Sequence, residues 1–416
     1  MKRYSKYKDS GAPWLGSVPT HWELGRLGSY VSLRGEKGSD KEFEPLSVTK
    51  KGIVPQLETA AKTDDGENRK IVRKGDIAIN GRSDRKGSSG LAEIDGSVSL
   101  INIVLKIERG LYPKFAHHLI RSEAFQEEFY RWGRGIVADL WSTNYWDLKR
   151  IPSALPPIEE QKLISDFLDK TLGNMDSAIE SQERMIELLK ERRSAIITQA
   201  VTKGLDPNAK MKDSGQSWIG EVPSHWELKP NRSLFKDVGQ MVENKGDGVL
   251  LLSLTQNGLI PRDMENPSGK FPSDFSTYQK VKIGDLVFCL FDVDETPRTV
   301  GISNHDGMIT GAYTVVRCYN RNYAEYLYWF YLSLDEDKRL KPLYRGLRKV
   351  IPSETFRSIK SPMPSEHEAK VICEFIQKEV TSMNSAIESQ ERMIELLKER
   401  RSAIITQAVT GQIDVR

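Results

Sequence analysis

A stretch of 26 residues occurs twice in this chain without a single change. SAIESQERMIELLKERRSAIITQAVT occupies 177–202 and returns at 385–410. The stretch has the pattern of a long helix. Because it occurs twice, we expect a fold that uses the same helix at two places. The full length of 416 residues allows two or three domains. A recent duplication or recombination confined to this stretch is the alternative explanation of the identity.

Shorter matches in the same order show that the whole chain is a duplicated unit. KDSGAPWLGSVPTHWEL at 8–24 and KDSGQSWIGEVPSHWEL at 212–228 agree at 12 of 17 positions. KGDIAI at 74–79 corresponds to IGDLVF at 283–288. The sequence therefore consists of two homologous halves of about 208 residues each.

Each half contains the same three parts. A tryptophan-containing opening segment leads into a block of short β-type runs with one helical stretch, and a long helix follows. This order predicts an α+β fold with two homologous mixed α/β domains and two long helices. The predicted divisions are 1–153, 154–204, 205–361 and 362–416.

The long helix is defined by its apolar stripe. Apolar residues recur every three or four positions from Ile164 to Ala200, and only Gln182 and Arg193 interrupt them. One continuous helix from 157 to 202 would be roughly 65–70 Å long. The second copy begins with Ser365 and has Glu368 three residues later, which is a capping box.

Each helix offers the other a matching stripe. In an antiparallel pair with Gln182 opposite Arg401 and Arg193 opposite Gln390, apolar positions face apolar positions. A parallel pair would instead place Arg193 beside Arg401. The sequence favours the antiparallel, pseudo-two-fold coiled coil. The predicted pairing residues are Ile179, Gln182, Ile186, Leu189, Arg193, Ile387, Gln390, Ile394, Leu397 and Arg401.

The sequence contains no recognisable catalytic or metal-binding motif. It lacks a GxxxxGK[ST] phosphate loop, and GRGIVA at 133–138 follows a helical stretch where a dinucleotide site needs a strand. His21 and His225 are expected to pack beside the neighbouring tryptophans. The three cysteines form no CxxC pair. With no leader-like start and no long apolar run, we expect a non-enzymatic, soluble, cytoplasmic protein without metal or cofactor.

The two variable blocks carry basic loops at corresponding places. NGRSDRKGSSG at 80–90 follows one GD strand, and FDVDETPRTVG at 291–301 follows the other. Arginine and lysine supply phosphate contacts and guanine recognition, and polar side chains recognise other base edges. Solvated charged turns are the alternative interpretation. The predicted DNA-binding residues are Arg82, Ser83, Arg85, Lys86, Arg134, Gln256, Arg298, Thr299, Arg345, Arg348 and Lys349.

These features together resemble a known family. The KDSGxxWxGxVPxHWEL segment in each half, the GD strands and LPPIEEQKLISDFLD before the first long helix are similar to specificity (S) subunits of type I restriction–modification systems. The likeness covers the whole chain. The second helix start, MPSEHEAKVICEFI, lacks the usual Pro-Pro and Gln.

The resemblance implies a function and a set of partners. The variable blocks would be target recognition domains that each bind half of a split, asymmetric site in double-stranded DNA. Two methyltransferase subunits using S-adenosylmethionine would dock on the helices, and two restriction subunits using ATP and Mg can join. A structural adaptor for two identical proteins, without DNA binding, is the main alternative, and a stand-alone enzyme is a further one.

Overall fold

A computed structural model describes residues 2–57, 66–82, 86–136, 141–242, 248–262 and 275–416. The chain forms two compact units, which we call unit 1 and unit 2. Unit 1 combines Met1–Glu183 with Glu391–Arg416, and unit 2 is Arg184–Gln390. The predicted domain divisions kept each long helix as a separate element. The units instead divide both helices, because each half-helix packs into the core of its own unit.

Unit 1 is built mainly from short antiparallel strands. Its strands are β1 Tyr7–Asp9, β2 Ser17–Pro19, β3 Glu23–Arg26, β4 Val31–Leu33, β5 Lys37–Gly38, β6 Leu46–Thr49, β7 Gly52–Pro55, β8 Arg69–Val72, β9 Ile77–Asn80, β10 Ser89–Leu91, β11 Gly96–Val98, β12 Asn102–Ile107 and β13 Pro152–Leu155. Its helices are α1 Pro113–Arg121, α2 Glu123–Arg131, α3 Tyr145–Leu148 and the first part of α4 Ile158–Lys203.

The largest sheet of unit 1 has the strand order β10-β9-β12-β4. The β9 strand is buried at all four positions, as expected for a central strand covered on both faces. Helix α1 begins with Pro113, whose fixed φ suits a first helical turn. Its buried residues, Phe115 among them, join the core cluster that contains Ile77 and Leu105 of the sheet.

Unit 2 repeats this plan with different lengths. Its strands are β14 Met211–Asp213, β15 Glu221–Pro223, β16 Glu227–Pro230, β17 Phe235–Asp237, β18 Leu252–Thr255, β19 Gly258–Pro261, β20 Tyr278–Val281, β21 Leu286–Phe288, β22 Val300–Ile302, β23 Gly307–Thr310, β24 Thr314–Cys318 and β25 Lys360–Met363. Its helices are α5 Asn231–Leu234, α6 Ala324–Glu336, α7 Ser353–Ser358 and parts of α4 and of α8 Glu366–Val409.

The main sheet of unit 2 has the order β22-β21-β24-β17, which is the counterpart of the order in unit 1. One aromatic-rich helix, α6, takes the place of the α1–α2 pair. Tyr326 and Phe330 of α6 are completely buried. The hydroxyl of Tyr326 donates to the carbonyl of Val201 at 3.0 Å or to that of Pro362 at 2.9 Å, so the burial leaves no unpaired polar atom.

Both long helices are continuous, and they run antiparallel within unit 1. The Arg401 Nε of α8 donates to Asp176 of α4 at 3.2 Å. Just past the end of α8, a Cβ on Gly411 would lie 3.1 Å from the ring of Trp22, whose indole donates to Glu160 near the start of α4. Residue numbers therefore rise along one helix as they fall along the other. The predicted antiparallel direction is confirmed in this unit.

Unit 2 gives the same result independently. Arg193 of α4 donates to Asn384 of α8 at 2.7 Å. A Cβ on Gly204, just past the end of α4, would lie 3.5 Å from Glu368 near the start of α8. The two helix segments therefore run in opposite directions here as well, and the parallel alternative is wrong.

The predicted partners of the two arginines need correction. Arg401 binds Asp176 rather than Gln182, and Arg193 binds Asn384 rather than Gln390. Both partners lie six residues before the predicted ones, so the error is the same in each unit. An apolar stripe presents a similar face again after about seven residues, so apolar matching alone does not separate these registers. The hydrogen-bonding partner of the arginine distinguishes them.

All ten predicted pairing residues lie on covered faces of the helices. Ile186, Ile387 and Ile394 are buried, and the other seven are half-buried. The covered face of each long helix is therefore the one predicted from the spacing of its apolar residues. Among the residues that the structure describes, no helix is long and apolar enough to cross a membrane.

The opening segments fix the start of each long helix. In unit 1, Tyr4, His21 and Trp22 all hydrogen-bond to the Glu160 carboxylate, at 2.7, 2.7 and 2.9 Å. The His and Trp of HWEL therefore recognise a glutamate in the first turn of α4. The ring of His21 lies 5.6 Å from that of Tyr4, and the predicted packing against a tryptophan is seen for His225, whose ring lies 6.3 Å from that of Trp226. The hydrogen bond to the glutamate was not predicted.

The same contacts recur in unit 2. His225 and Trp226 hydrogen-bond to Glu368 at 3.1 and 3.0 Å. Ser365 accepts the Glu368 N–H at 3.2 Å, which is one half of the predicted capping box. The Glu368 side chain binds the HWEL residues instead of completing that box.

Candidate nucleic-acid interface

The predicted basic loop of unit 1 lies at one end of the four-stranded sheet. Strand β9 ends at Asn80, opposite Asn102 at the start of β12. The next residue, Gly81, accepts the Thr143 N–H at 2.9 Å. A Cβ on Gly81 would lie 2.5 Å from the Thr143 carbonyl oxygen, so only glycine permits this approach. The loop after β9 and the loop before α3 therefore meet at this end of the sheet.

Two predicted arginines come together around Ser142. Arg82 and Arg134 each form an antiparallel bridge with Ser142. The Arg134 guanidinium pairs with Asp147 at 2.8 Å, yet 74% of its side chain is exposed while Asp147 is buried. Arg82 is also exposed, and its N–H is held by the Asn80 side chain at 3.1 Å. The backbone positions are fixed, and both guanidinium groups face solvent.

The remaining predicted residues of this loop differ in their surroundings. Lys86 pairs with Glu127 at 2.5 Å and lies 4.8 Å from the centre of the Tyr130 ring. Its charge is therefore partly neutralised by unit 1 itself. Ser83 and Arg85 lie outside the described residues, so their assignment stays a prediction.

Aromatic side chains next to these arginines were not predicted as part of the site. Trp146 is 63% exposed, and the Lys149 ammonium lies 4.2 Å from its ring centre. Trp132 has Arg131 at 5.7 Å and Arg150 at 5.2 Å. Trp132 is half-buried, whereas an exposed ring with a cation against its face, such as Trp146, is suited to stacking and phosphate contact. The signal was present in the sequence, where tryptophans alternate with basic residues between 131 and 150.

Unit 2 brings its corresponding loops together at the same end of its sheet. Strand β21 ends at Phe288, opposite Thr314 at the start of β24. In the loop that follows, Leu290 accepts the Ile351 N–H at 2.9 Å, and the Asp292 N–H donates to the Arg348 carbonyl at 2.7 Å. The loop after β21 is therefore joined to the loop around 345–350.

That second loop is a tight hairpin with a basic tip. Arg345 and Val350 exchange two backbone hydrogen bonds of 2.8 and 2.9 Å. Gly346 has φ +67° and Lys349 has φ +45°, so the turn uses two left-handed residues. Arg345, Arg348 and Lys349 are all exposed.

Arg348 is held in place by an acidic neighbour. Its guanidinium makes two hydrogen bonds to Asp292, at 2.6 and 3.2 Å, and lies 5.3 Å from the Phe291 ring centre. The hydrogen bond from Arg348 lowers the pKa of Asp292 and raises that of Arg348 itself. The Arg348 side chain remains 69% exposed, so it is oriented but not covered.

The predicted pair Arg298 and Thr299 separates in the structure. Arg298 is half-buried and donates to the Tyr328 hydroxyl at 3.2 Å. Thr299 is buried, its N–H donates to Asp335 at 2.7 Å, and its carbonyl accepts the Cys289 N–H at 2.8 Å. Thr299 therefore belongs to the framework, and its predicted DNA contact is not supported. Thr299 directly precedes the edge strand β22, and its hydrogen bonds to Asp335 of α6 and to Cys289 account for the burial.

Gln256 lies in a hairpin turn that both units share. It is exposed between β18 and β19, and the Thr255 hydroxyl organises the turn by accepting the Asn257 N–H at 3.2 Å. In unit 1 the Thr49 hydroxyl accepts the Lys51 N–H at 3.1 Å in the same way. Asn257 lines a groove with Tyr328, the partner of Arg298. The role of Gln256 in DNA binding stays a prediction.

The described residues offer little for catalysis. No group of three or more histidine, cysteine, aspartate or glutamate side chains suited to a metal ion occurs among them. Cys289, Cys318 and Cys373 are buried free thiols. Burial raises the pKa of Cys318 and of Cys373 to about 12 in each case, which disfavours the nucleophilic thiolate.

Comparison with characterised proteins identifies relatives along the whole chain. The type I restriction enzyme MjaVIII specificity subunit of Methanocaldococcus jannaschii is 24% identical, over 96% of this chain and 94% of the relative. A protein of the same organism described as the MjaX specificity subunit is also 24% identical, over 97% and 96%. No family model matches the sequence.

Solved structures show the same fold. A chain from a structure on the assembly and conformational transition of the type I R-M system has a TM-score of 0.72 at 15% identity, covering 95% of this chain and 99% of that one. The HsdS subunit of Thermoanaerobacter tengcongensis has a TM-score of 0.54 at 17% identity, covering 95% and 98%. The resemblance predicted from the sequence is confirmed. The named relatives are specificity subunits, the class of protein that the sequence resembles.

Proposed function

Because the chain resembles specificity subunits of type I restriction enzymes over its whole length, we propose that it is the DNA-reading, non-catalytic subunit of such a complex. It binds double-stranded DNA at a split, asymmetric target. Each unit reads one half of that target. The chemistry belongs to partner subunits.

One observation carries this proposal. Both units keep the same framework. In each, the tryptophan of HWEL hydrogen-bonds to a glutamate at the start of a long helix, and the four-stranded sheet has the same strand order. At the same end of each sheet, two loops of different sequence meet and expose arginines. A shared framework with different basic loops is what two readers of unlike sequences require, since phosphate contacts position a protein and base contacts specify the sequence.

The long helices provide a surface for protein partners. On the identical stretch, Met185 and Leu188 of unit 2 are 47% and 49% exposed, and Met393 and Leu396 of unit 1 are 47% and 50% exposed. The same apolar pair is thus presented twice, among charged residues of both signs. This surface suits two copies of one partner, which we propose are methyltransferase subunits, and the restriction subunits would join the assembled complex.

The cofactors follow from this division of work. S-adenosylmethionine would belong to the methyltransferase subunits, and ATP and Mg to the restriction subunits, while this chain holds none. The complex would act in the cytoplasm, where its DNA target is found.

Methylation mapping tests the proposal directly. The chain is coexpressed with its methyltransferase subunits in a host without other adenine methylation, and modified adenines are mapped across the genome. We expect one split motif with two defined halves and a fixed gap. An unmethylated genome, together with no duplex binding by the purified complex at low salt, would favour the adaptor that binds two proteins and no DNA.

Arginine variants test which unit reads which half. We expect Arg82→Ala to relax sequence selection in one half of the motif only, and Arg345→Ala in the other half only, each by about 1–3 kcal/mol. Arg109→Ala and Arg232→Ala are matched controls, since both arginines are exposed and flank the opposite ends of the two sheets. Equal losses in both halves from either test variant would contradict the assignment.

Salt dependence gives a second measurement. Phosphate neutralisation releases counterions, so binding should weaken steeply with salt, and losing one phosphate contact should lower the slope of log K against log salt by about 0.9. A slope unchanged in both Arg82→Ala and Arg345→Ala would assign these arginines to base recognition alone.

A further inference from the structure

The two most exposed large hydrophobic side chains occupy equivalent positions in the two units. Leu347 in unit 2 is 100% exposed and Ile136 in unit 1 is 97% exposed. Among the residues that the structure describes, the next most exposed large hydrophobic is Tyr319 at 64%. Both residues follow the same dipeptide, in Arg345-Gly346-Leu347 and in Arg134-Gly135-Ile136. Two such extremes at corresponding positions in loops of otherwise different sequence require an explanation.

The loop around Leu347 is firmly built, so the exposure does not come from a missing support. The hairpin is closed by the Arg345–Val350 backbone pair and attached to the neighbouring loop through the Asp292 N–H at 2.7 Å. The side chain of Arg348 is tied to Asp292 by two hydrogen bonds. Leu347 therefore projects from a fixed tip while its neighbours on both sides are anchored. Because its side chain buries nothing, it contributes nothing to the folding of unit 2.

Charge next to the tip indicates the kind of surface that receives it. Leu347 lies between Arg345 and the pair Arg348 and Lys349, and Ile136 lies two residues after Arg134. A protein partner would bury such a residue in an interface core, where charged residues are depleted. An isolated aliphatic side chain among cations instead suits duplex DNA, where arginines contact phosphates and an apolar wedge enters between base pairs. Leucine and isoleucine are used as such wedges and partially unstack one step.

We propose that Leu347 and Ile136 are wedges that insert between stacked bases, one in each half of the target. This inference rests on the proposed function, because it needs each unit to lie on DNA. It adds that each half-site is read partly through how easily one base step opens, as well as through base edges. Each wedge would favour a flexible step beside the bases contacted by its own unit.

A fluorescent base tests the proposal. The complex of this chain with its methyltransferase subunits is mixed with a duplex that carries the mapped motif and a single 2-aminopurine, which is moved in turn through every position of both half-sites. Fluorescence of 2-aminopurine rises when the base loses its stacking neighbour. Each methyltransferase subunit must extrude its target adenine from the stack, so a rise at the methylated position is expected without any wedge. Beyond it, we expect a rise at one further step in the half read by unit 2, and another at one further step in the half read by unit 1.

Variants connect each rise to its side chain. Leu347→Ala should abolish the rise at the further step in its own half, weaken binding by about tenfold and leave the other half unchanged. Leu347→Phe, which keeps a large apolar group, should restore the rise. Ile136→Ala should give the reciprocal result. Ile283→Ala is the matched control, since Ile283 is another exposed aliphatic residue of unit 2, on the turn before β21 at the other end of the sheet, and is 57% exposed.

The outcomes separate this inference from the function on which it rests. If the wild-type complex binds and methylates a split motif but only the methylated position shows a rise, the wedge is excluded and the proposed DNA-binding function stands. A rise at a further step that survives Leu347→Ala also overturns the wedge. Loss of methyltransferase binding in Leu347→Ala would assign the tip to a protein contact instead. If no motif is methylated and no duplex binds, the function itself fails, and the wedge with it.

Discussion

Units 1 and 2 share nearly all of the contacts that fix their frameworks and few of those that shape their loops. In unit 1 the sheet end is bordered by the α1–α2 pair, several tryptophans and arginines around Ser142. In unit 2 it is bordered by one aromatic helix and a four-residue basic turn held by Asp292. The framework fixes where a loop lies, and the loop is then free to differ. The recognition that we propose would therefore lie in loops that can differ while the framework supporting them stays the same.

The largest test of the shared framework removes its anchoring tryptophans. Trp22 and Trp226 are both 1% exposed and occupy equivalent places. We expect Trp22→Ala to lower the free energy of unfolding of unit 1, and Trp226→Ala that of unit 2, by about 3–5 kcal/mol each. Hydrogen exchange resolved by unit measures this. Trp146→Ala, at an exposed position, is the control and should cost little.

A second test compares Glu160 and Glu368, the glutamates that accept hydrogen bonds from Trp22 and Trp226. Glu160 is almost fully buried and accepts from three side chains, whereas the side chain of Glu368 is 30% exposed and accepts from two. Glu160→Gln should destabilise unit 1 by about 2–3 kcal/mol, and Glu368→Gln should destabilise unit 2 by about 1 kcal/mol, because solvent compensates the more exposed carboxylate. Urea unfolding monitored in each unit measures both. Equal losses would show that exposure does not distinguish the anchors.

A third test uses pH. Burial lowers the pKa of His117 to about 3, and the His117 Nδ1 accepts the Leu91 N–H. Burial also lowers the pKa of His118. Above pH 6.5 both folded and unfolded forms are neutral. Below it the unfolded chain binds protons that the folded unit does not, so unit 1 loses stability as the pH falls, by about 2 kcal/mol at pH 5 for His117 alone. Unit 2 has no histidine in α6 and should change less.

The control for that test is His117→Gln, whose amide oxygen can still accept the Leu91 N–H. This variant should flatten the pH dependence of unit 1 between pH 7 and 5, measured by thermal unfolding. An unchanged slope would assign the acid sensitivity to other groups.

The smallest expected effect concerns the helix pairs. Arg401 meets a carboxylate in unit 1, while the equivalent Arg193 meets an amide in unit 2. Asp176→Asn makes the two alike and should cost less than about 1 kcal/mol, since the ion pair is partly exposed. The difference should shrink further at high salt. A cost independent of salt would show that the arginine contact is not mainly ionic.

The helices and the duplicated plan could be predicted from the sequence because periodicity and repetition are local properties. The apolar stripe through Gly173 predicted one continuous helix, which is confirmed. The helix register could not be predicted, because residues about two turns apart satisfy the stripe equally and the deciding contact joins Arg401 to Asp176, distant in sequence.

Parts of the candidate site could likewise be predicted where they depend only on the local sequence. Basic loops can be recognised directly in the sequence, and Arg82, Arg134 and Arg348 lie exposed at the sheet ends, while their contact with DNA stays a prediction. Burial of Thr299 depends on Asp335 folding beside it, and no local pattern indicates that contact. The meeting of two loops at Ser142 is likewise a property of the folded sheet.

Arg193 and Arg401, which join the two long helices, occupy equivalent places in the two copies of the repeated stretch. Arg193 binds Asn384, the residue just before the second copy, and Arg401 binds Asp176, the residue just before the first copy. An aspartate and an asparagine serve equally as acceptors there, so the helices tolerate either residue at the junction. A different variable block could therefore be joined at Ser177 or Ser385 with these arginine contacts unchanged. Under the proposed function, the duplicated stretch would be a crossover point in the gene, through which new target specificities are acquired by exchange rather than by gradual mutation.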